Sequence, residues 1–514
     1  MKNICLDKIK YLKPTREFKL HSLIQNNVIF QSEKMIPIFG KAEPNTVIVV
    51  ELFNDNTKEC YANYQVVPDN GKFYLELPAL EASFDTYTLN ISDTVHTVEI
   101  VNVMIGEVFL LAGQTNMAVR ASEMENGIEY IGNNMNKHIH VFFQQEGTYY
   151  DDYPYTPIFD VVNGRWNQNN DINNVRTCSG IGYSFACELY DNFQKLGKNV
   201  PIGIINSQKG TSSLHAWLPR KKVVESETLK EFVLGKGYSL DDTDWNNKKN
   251  LNYNQVSALY NRKIAPLFRY NIKGILWYQG ENDPVYKTNL EALPLLIDTY
   301  SKGFNKNDEI IPFQMIQLHP YDASDYALGE SLKYYSGMGY ADHRRAQFDV
   351  SNLEKYKDKV NLIPIYDIDL KWDVPKEQFR WPNFITPVTK IPVGKRCADA
   401  MMSMCYIKDK SYLAPKYKSH TYTKNSITIK FDNVGEGLVT FKKHELGVTM
   451  VEIITKTKKR ITVKCKIFGK DKIKIYDIDT SNVEAFSYSN FSRNENSNLA
   501  NSNLIPAIPF VVNL

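Results

Sequence analysis

The sequence lacks the features that mark several large classes of protein. Its seven cysteines are scattered, odd in number and without a Cys-x-x-Cys pair, which argues against a disulfide framework and against a zinc site. No uninterrupted apolar run reaches the ~18 residues that a membrane span requires, and the first residues hold no apolar stretch long enough for a signal peptide. We therefore expect a soluble protein, cytoplasmic by default and without metal or other cofactor. Release from the cell or association with a particle stays open.

Neither sign of charge dominates the chain. The 61 basic and 58 acidic residues give a net charge of +3, so electrostatics provide no reason to expect a nucleic-acid partner. The 514 residues exceed the ~250–300 at which a single hydrophobic core stops growing, and at least two packed units are expected. The sequence does not indicate the oligomeric state.

The pattern of apolar residues divides the chain into three regions. Short alternating runs separated by turn residues predict a β-sandwich domain over residues 1–100. Strands that alternate with helical segments predict an α/β domain with a parallel sheet over 101–410, with a helical excursion near 221–261. The β pattern returns over 411–514. The composition of Ser487 to Asn503, rich in Ser and Asn, is typical of a linker.

One stretch of the α/β region combines a strand with reactive side chains. Four apolar residues, Val108 to Leu111, predict a buried strand, and Gly113 permits a sharp turn out of it. A Gln, a Thr and an Asn follow, at the strand end where open α/β sheets bind their ligands. Two interpretations fit these residues: a catalytic loop, or a plain turn in which Thr115 caps a helix.

Three ordered blocks resemble the sialate O-acetylesterase family of SGNH-type serine hydrolases. Gly113-Gln-Thr-Asn-Met117 resembles the family's Gly-Gln-Ser-Asn-Met, whose catalytic serine falls on Thr115. The block from Val200 to Gly210 resembles a loop that carries an oxyanion-hole glycine, and Gly274 to Asn282 contains a Trp-Tyr-Gln-Gly-Glu sequence that is close to the family's own. The resemblance extends to both ends of the chain. It implies an SGNH-like α/β domain flanked by β regions that pack together, and an ordered loop at 487–503.

The resemblance also implies roles for individual residues. Donors to the oxyanion of a tetrahedral intermediate would be the backbone N–H groups of Thr115 and Gly210 and the side-chain amide of Gln279. Substrate-binding roles would fall on three polar residues of the same blocks, namely Gln114, Asn116 and Glu281. Thr115 retains a hydroxyl in the nucleophile position, but its additional methyl group stiffens χ1 and crowds the oxygen.

The histidine and aspartate of the family's catalytic triad are absent. Counting back from Val393 in a recognisable Val-Gly-x-Arg stretch, the expected histidine falls near Thr386 and the expected aspartate near Phe384. No histidine occurs between His343 and His420. His319, just past a predicted strand, is the best-placed substitute base. It, His215 and His343 are each more simply interpreted as hydrogen-bonded or solvent-facing histidines, because a base must reach within ~3 Å of the hydroxyl.

These observations leave two functions open. One is a carbohydrate ester hydrolase that acts on O-acetylated sialic acid or a related glycan, impaired or rewired because the triad is incomplete. The other is a non-catalytic glycan-binding protein, for adhesion or adsorption, that keeps the esterase fold. Fold alone cannot separate them, because function depends on the site.

Overall fold

The structure, a computed structural model, describes residues 17–145, 153–241, 253–305, 309–321, 339–369, 385–441, 444–445 and 447–514. The predicted position of the family's aspartate, Phe384, lies outside these residues, as does part of the predicted helical excursion. Within the described ranges, no helix is both long and apolar enough to cross a membrane.

The amino-terminal region is built mostly of antiparallel strands, as the alternating pattern predicts. Its strands are β1 (Phe18–Leu20), β2 (Ile29–Gln31), β3 (Ile36–Ala42), β4 (Ile48–Asn54), β5 (Cys60–Val66), β6 (Lys72–Leu77), β7 (Ser83–Ser92) and β8 (Thr97–Gly113). Among the described strands of this region, only the short strand β2 pairs in parallel, with β8. Strands β1, β3 and β6 form one sheet, whereas β4, β5 and β7 join β8 in the sheet that continues into the centre of the protein. Strand β8 passes through residue 100, where the sequence predicts a domain boundary, so the division into domains stays a prediction.

A mostly parallel sheet with helices around it forms the middle of the chain. The further elements are α1 (Thr115–Ala118), α2 (Gly127–Asn133), β9 (Asn136–Phe143), β10 (Arg165–Asn169), α3 (Ile172–Val175), α4 (Gly180–Lys195), β11 (Ile202–Gln208), α5 (Arg220–Glu225), α6 (Glu227–Gly235), β12 (Gly274–Tyr278), α7 (Tyr286–Phe304), β13 (Phe313–Ile316), α8 (Gly339–Ser351), β14 (Val360–Ile363) and α9 (Ile391–Cys405). The strand order is β10-β9-β11-β8-β12-β13-β14, antiparallel only between β10 and β9. The alternation of strands and helices that the sequence predicts for this region is confirmed.

The second half of β8 is the centre of this sheet. Val108 to Leu111 are completely buried, with β11 on one side and β12 on the other. Full burial of an apolar side chain of this size contributes about 1.5–3 kcal/mol, so this short run is a large share of the local stability. Because its parallel neighbours end at the same edge, the residues that follow β8, β11 and β12 converge there.

Helices α4 and α9 pack closely on one face of the sheet. The Ser179 side chain accepts a hydrogen bond from the Gly182 N–H and so caps α4. At Gly394, in the Val-Gly-x-Arg stretch of α9, a Cβ atom would lie 2.4 Å from the Ile181 carbonyl oxygen, so only glycine permits this approach.

The carboxyl-terminal region returns to antiparallel strands. They are β15 (Lys416–Thr423), β16 (Ser426–Asp432), β17 (Leu438–Thr440), β18 (Val451–Thr455), β19 (Arg460–Thr462), β20 (Cys465–Ile467), β21 (Lys472–Tyr476), β22 (Val483–Tyr488), β23 (Leu499–Asn501) and β24 (Phe510–Asn513). Between β22 and β23 the side chains of Ser489, Asn494 and Ser497 are buried and hydrogen-bonded. The interpretation of 487–503 as an ordered loop is therefore confirmed, and the linker that its composition suggests is wrong. The chain thus has a mixed α/β fold with one large mixed sheet and antiparallel sheets at both ends.

Candidate active site

The site begins where β8 turns sharply into α1. Gly113 has φ +136°, and a Cβ atom on it would lie 2.1 Å from the Tyr278 carbonyl oxygen at the end of β12. The next N–H, of Gln114, donates to that same oxygen at 2.9 Å. Glycine is required here because neither the backbone conformation nor the space admits a side chain.

The Thr115 hydroxyl faces the loop that follows β11. Its Oγ1 accepts a hydrogen bond of 2.9 Å from the Thr211 N–H, and a Cβ atom on Gly210 would lie 3.4 Å from it. The structure therefore brings Thr115 and Gly210 together, as the resemblance implies. The backbone donor on the hydroxyl, however, belongs to Thr211, which the sequence analysis did not single out.

Thr211 has a backbone conformation that β-branched residues rarely adopt, with φ +56°. Its carbonyl oxygen accepts hydrogen bonds from Asn254 Nδ2 at 3.1 Å and from Asn282 Nδ2 at 2.6 Å. Its hydroxyl is within hydrogen-bonding distance of the Tyr253 hydroxyl and donates to the Gly210 carbonyl at 2.8 Å. Strain of this kind costs of order 1–3 kcal/mol and persists only where the surroundings fix it, which these contacts do.

The two amides beside Thr115 are tied to Glu281, from the Gln-Gly-Glu block. The side chains of Gln114 and Asn116 each donate to one carboxylate oxygen of Glu281. Asn116 also donates to the Ile385 carbonyl at 3.0 Å and accepts from the Lys390 ammonium at 2.6 Å. The predicted substrate-binding residues are thus together, but their side chains already bind one another, the Ile385 carbonyl and Lys390. Their role towards substrate stays a prediction.

Lys390 and Glu281 form a buried pair of opposite charge bridged by Asn116. Burial raises the pKa of Glu281 to about 7, while hydrogen bonds from Asn116 and the nearby Lys390 act in the opposite direction. Burial lowers the pKa of Lys390 to about 7, against the attraction of Glu281. A lysine that is 2 % exposed is uncommon, and this one anchors the amide next to the nucleophile position.

Gln279, the predicted side-chain donor to an oxyanion, is held by a buried carboxylate. Its Nε2 donates to Asp283 Oδ2 at 2.6 Å and to the Ser212 carbonyl at 3.3 Å, which engages both amide hydrogens. Asp283 also accepts from the Leu214 N–H and from the Lys236 ammonium, each at 2.6 Å. Donation from Gln279 to an oxyanion would therefore require one of these bonds to break, and the predicted role stays untested.

The three histidines considered as substitute bases lie in buried, structured surroundings. His319 Nδ1 is 3.4 Å from the Tyr278 hydroxyl, and its ring packs perpendicular to that of Tyr340. His215 is within 2.7 Å of the Asn254 carbonyl through Nε2, and the His343 ring lies against Gly280. Burial lowers the pKa of both His215 and His343 to about 4, so both are neutral at pH 7.

No described imidazole lies within hydrogen-bonding distance of the Thr115 hydroxyl, whose described partner is the Thr211 N–H. The segment expected to supply the base does reach the site, because the Ile385 carbonyl contacts Asn116. The next residue, Thr386, is buried but carries no ionisable group. Sequence reasoning missed Thr211, Asp283 and Lys390, although Asp283 lies only two residues beyond the Gln-Gly-Glu block.

Comparison with known proteins finds sequence similarity in the part of the chain that holds most of the site. Residues 105–326 match the family model described as carbohydrate esterase, sialic acid-specific acetylesterase. Human sialate O-acetylesterase (Homo sapiens) is 23% identical over 327 residues, which cover 59% of this chain and 57% of the human protein. The mouse enzyme (Mus musculus) is 24% identical over 360 residues, or 61% and 63% of the two chains. The chain thus spans less than two thirds of the length of these relatives.

A solved structure extends the likeness to nearly the whole fold. The crystal structure of a carbohydrate acetylesterase from Xanthomonas citri matches with a TM-score of 0.76 and 23% identity, over 96% of this chain and 99% of that one. The likeness to this structure concerns the fold. Over residues 105–326 the sequence is similar to the sialic acid-specific acetylesterase family.

Proposed function

We propose that this protein is an SGNH-type carbohydrate esterase that removes O-acetyl groups from an acetylated sugar, with Thr115 as a slow nucleophile. The observation that carries the proposal is the position of the Thr115 hydroxyl. It lies at the carboxyl edge of the central strand, beside Gly210 and on the Thr211 N–H at 2.9 Å. This combination of a hydroxyl, a glycine and a backbone donor is what acyl transfer requires at the reacting carbonyl.

In the proposed reaction, Thr115 Oγ1 attacks the acetyl carbonyl and the sugar hydroxyl leaves. Water then cleaves the threonyl acetate and releases acetic acid. The backbone N–H groups of the 210–211 loop and of Thr115 would stabilise the negative oxygen of each tetrahedral intermediate. The Gln114–Glu281–Asn116 hydrogen bonds would hold α1, and with it Thr115, at a fixed orientation.

Slow turnover follows from the missing base. The hydroxyl proton must leave during attack, and removal of a triad member costs ~10⁴-fold or more, while donors and binding alone retain perhaps ~10³-fold over water. His319 is the substitute that we would test, since it follows β13 at the same edge of the sheet.

The test is hydrolysis of a chromogenic acetyl ester and of O-acetylated sialic acid by the wild-type protein, Thr115→Ser, Thr115→Ala and His319→Ala. We expect slow turnover by the wild type, faster turnover by Thr115→Ser because the crowding methyl group is gone, and none above background by Thr115→Ala. A His319→Ala variant as active as the wild type would remove His319 from the mechanism. Turnover retained by Thr115→Ala would refute the proposed nucleophile.

The second candidate is a glycan-binding protein without catalysis. It is favoured by the hydrogen bonds that already occupy the site, because Gln279 is committed to Asp283 and the Thr115 hydroxyl contacts a backbone N–H rather than a base. Measurable binding of the acetylated sugar, with no hydrolysis by the wild type or by Thr115→Ser, would select this function over the first.

A further inference from the structure

The peptide unit between Gly210 and Thr211 carries the hydrogen-bond donor that contacts Thr115. Its N–H donates to Thr115 Oγ1 at 2.9 Å, and its carbonyl oxygen accepts from the Thr211 hydroxyl at 2.8 Å. The N–H and the C=O of a trans peptide lie in one plane and point in opposite directions. A contact that fixes the carbonyl of this peptide therefore also fixes the direction of its N–H.

The backbone preference of Thr211 opposes this orientation. The residue has φ +56°, a conformation that β-branched residues rarely adopt. If the 210–211 peptide turned over, φ of Thr211 would become negative, and the compensating change would fall on ψ of Gly210, where glycine tolerates it. The Gly210 carbonyl would then replace the Thr211 N–H in front of Thr115. The turned peptide would thus relieve the strain and remove the donor.

The ends of the loop are anchored on either side of this peptide. The Lys209 N–H donates to the Gly113 carbonyl at 2.9 Å, and the Ser213 N–H donates to Asn254 Oδ1 at 2.7 Å. Neither hydrogen bond involves the 210–211 peptide. The peptide can therefore turn over while both ends of the loop stay in place, so another contact must select the observed orientation.

A chain of two hydrogen bonds that begins at Tyr253 makes this selection. The Thr211 hydroxyl donates its single hydrogen to the Gly210 carbonyl, so it accepts a hydrogen bond from the Tyr253 hydroxyl beside it. Hydrogen bonds in such a chain strengthen one another. The Tyr253 ring is itself fixed, because the Lys209 ammonium lies 4.8 Å from its centroid and the buried Tyr153 ring packs against it.

We propose that Tyr253 is a positioning residue, which acts through the Thr211 hydroxyl to keep the Thr211 N–H directed at Thr115. Without Tyr253, the 210–211 peptide turns over and the site loses this donor. The inference deepens the proposed function, on which its consequence for catalysis rests. The orientation of the peptide, however, exists in the resting protein and can be measured without turnover.

The first experiment observes the Thr211 amide by NMR in the whole chain with isotope-labelled threonine. Its signal is assigned as the one that is absent from Thr211→Ser, and Thr115→Ala shows its position without the acceptor. We expect the amide proton of Tyr253→Phe to move upfield from the wild-type position towards that of Thr115→Ala. The control is Tyr260→Phe, in the same segment, whose ring packs on Phe268 with centroids 5.9 Å apart. It should leave the signal in place.

The second experiment measures hydrolysis of the chromogenic acetyl ester. We expect kcat to fall about 10²-fold in Tyr253→Phe, the loss typical of one oxyanion donor, with KM little changed. Thr211→Val keeps the β-branch but removes the hydroxyl, and should lose as much. Because both substitutions interrupt the same chain, the double variant should lose no more than either single variant. Thr211→Ser keeps the hydroxyl and should retain far more of kcat than Thr211→Val.

Three results would overturn the inference: an unmoved amide signal in Tyr253→Phe, an unchanged kcat in that variant of an active enzyme, or losses that add in the double variant. If the wild type does not hydrolyse the ester, the proposed function fails, and the amide signal still decides the orientation. Hydrolysis by the wild type with an unmoved signal in Tyr253→Phe would refute this inference alone.

Discussion

The Thr211 N–H donates a 2.9 Å hydrogen bond to the Thr115 hydroxyl, and so joins two threonines that are 96 positions apart. Thr211 makes this contact with φ +56°. Both residues of this hydrogen bond are thus β-branched, and the donor, Thr211, also has a strained backbone. Strain at such a position is commonly retained where the geometry serves a ligand.

A pair of substitutions at Thr211 measures this strain. Thr211→Gly and Thr211→Ala both remove the hydroxyl and its contacts to Tyr253 and the Gly210 carbonyl, but only glycine adopts positive φ without cost. We expect Thr211→Gly to unfold with a free energy about 1 kcal/mol higher than Thr211→Ala in urea titrations. An alanine variant as stable as the glycine variant would contradict the assignment of strain.

Substitution of Gly210 tests the space over the nucleophile. A Cβ atom there would lie 3.4 Å from Thr115 Oγ1, which is ordinary van der Waals contact, so Gly210→Ala should fold normally. The added methyl group would occupy the position of the reacting carbonyl. We expect hydrolysis of the acetyl ester to fall by about 10²-fold, a loss similar to that of an oxyanion donor.

The control is Gly132→Ala in α2, where an added Cβ atom meets nothing within 4 Å. It should leave hydrolysis unchanged. If Gly210→Ala hydrolyses the ester as fast as the wild type, the space in front of Thr115 is not where the substrate reacts.

The strands that carry the site can be predicted from the sequence, but most of the hydrogen bonds within the site cannot. Strands β8, β11 and β12 are predictable because each is a continuous apolar run, and the polar residues after them must meet at one edge. By contrast, Lys390 and Asn116 are 274 positions apart, and no local pattern marks Lys390 as buried. The positive φ of Thr211 could not be predicted either, because β-branched residues rarely adopt positive φ.

The buried carboxyl of Glu281 is expected to make stability depend on pH. Its pKa is raised from 4.5 to about 7, so folding favours the protonated form. The stability from this group is fully present below pH 4.5 and is lost as the pH rises through 7, a change of about 3 kcal/mol. The lowered pKa of Lys390 acts above pH 7, where stability increases towards pH 10.5. The two groups together predict a minimum near pH 7.

Glu281→Gln should remove the acid side of this minimum. The free energy of unfolding, measured in urea at pH 5 and at pH 7.5, should fall less between the two values in the variant than in the wild type. An unchanged difference would show that Glu281 is not the group responsible. Glu436→Gln, at an exposed position, controls for the loss of a carboxylate.

Lys390 is expected to stabilise the fold only as long as Glu281 is charged. Lys390→Met leaves the Asn116 Oδ1 atom without its 2.6 Å donor and Glu281 without its nearby cation. Removal of one member of a buried charged pair typically costs about 3–5 kcal/mol, and we expect a loss of at most that order at pH 7, where both groups are partly charged. The same substitution in the Glu281→Gln background should cost clearly less, because no uncompensated charge is left behind.

A double-mutant cycle of unfolding free energies gives the coupling between Lys390 and Glu281, expected between about 0.5 and 3 kcal/mol. If the losses of the two single variants simply add in the double variant, Lys390 acts only through its hydrogen bond to Asn116 and has no electrostatic coupling to Glu281.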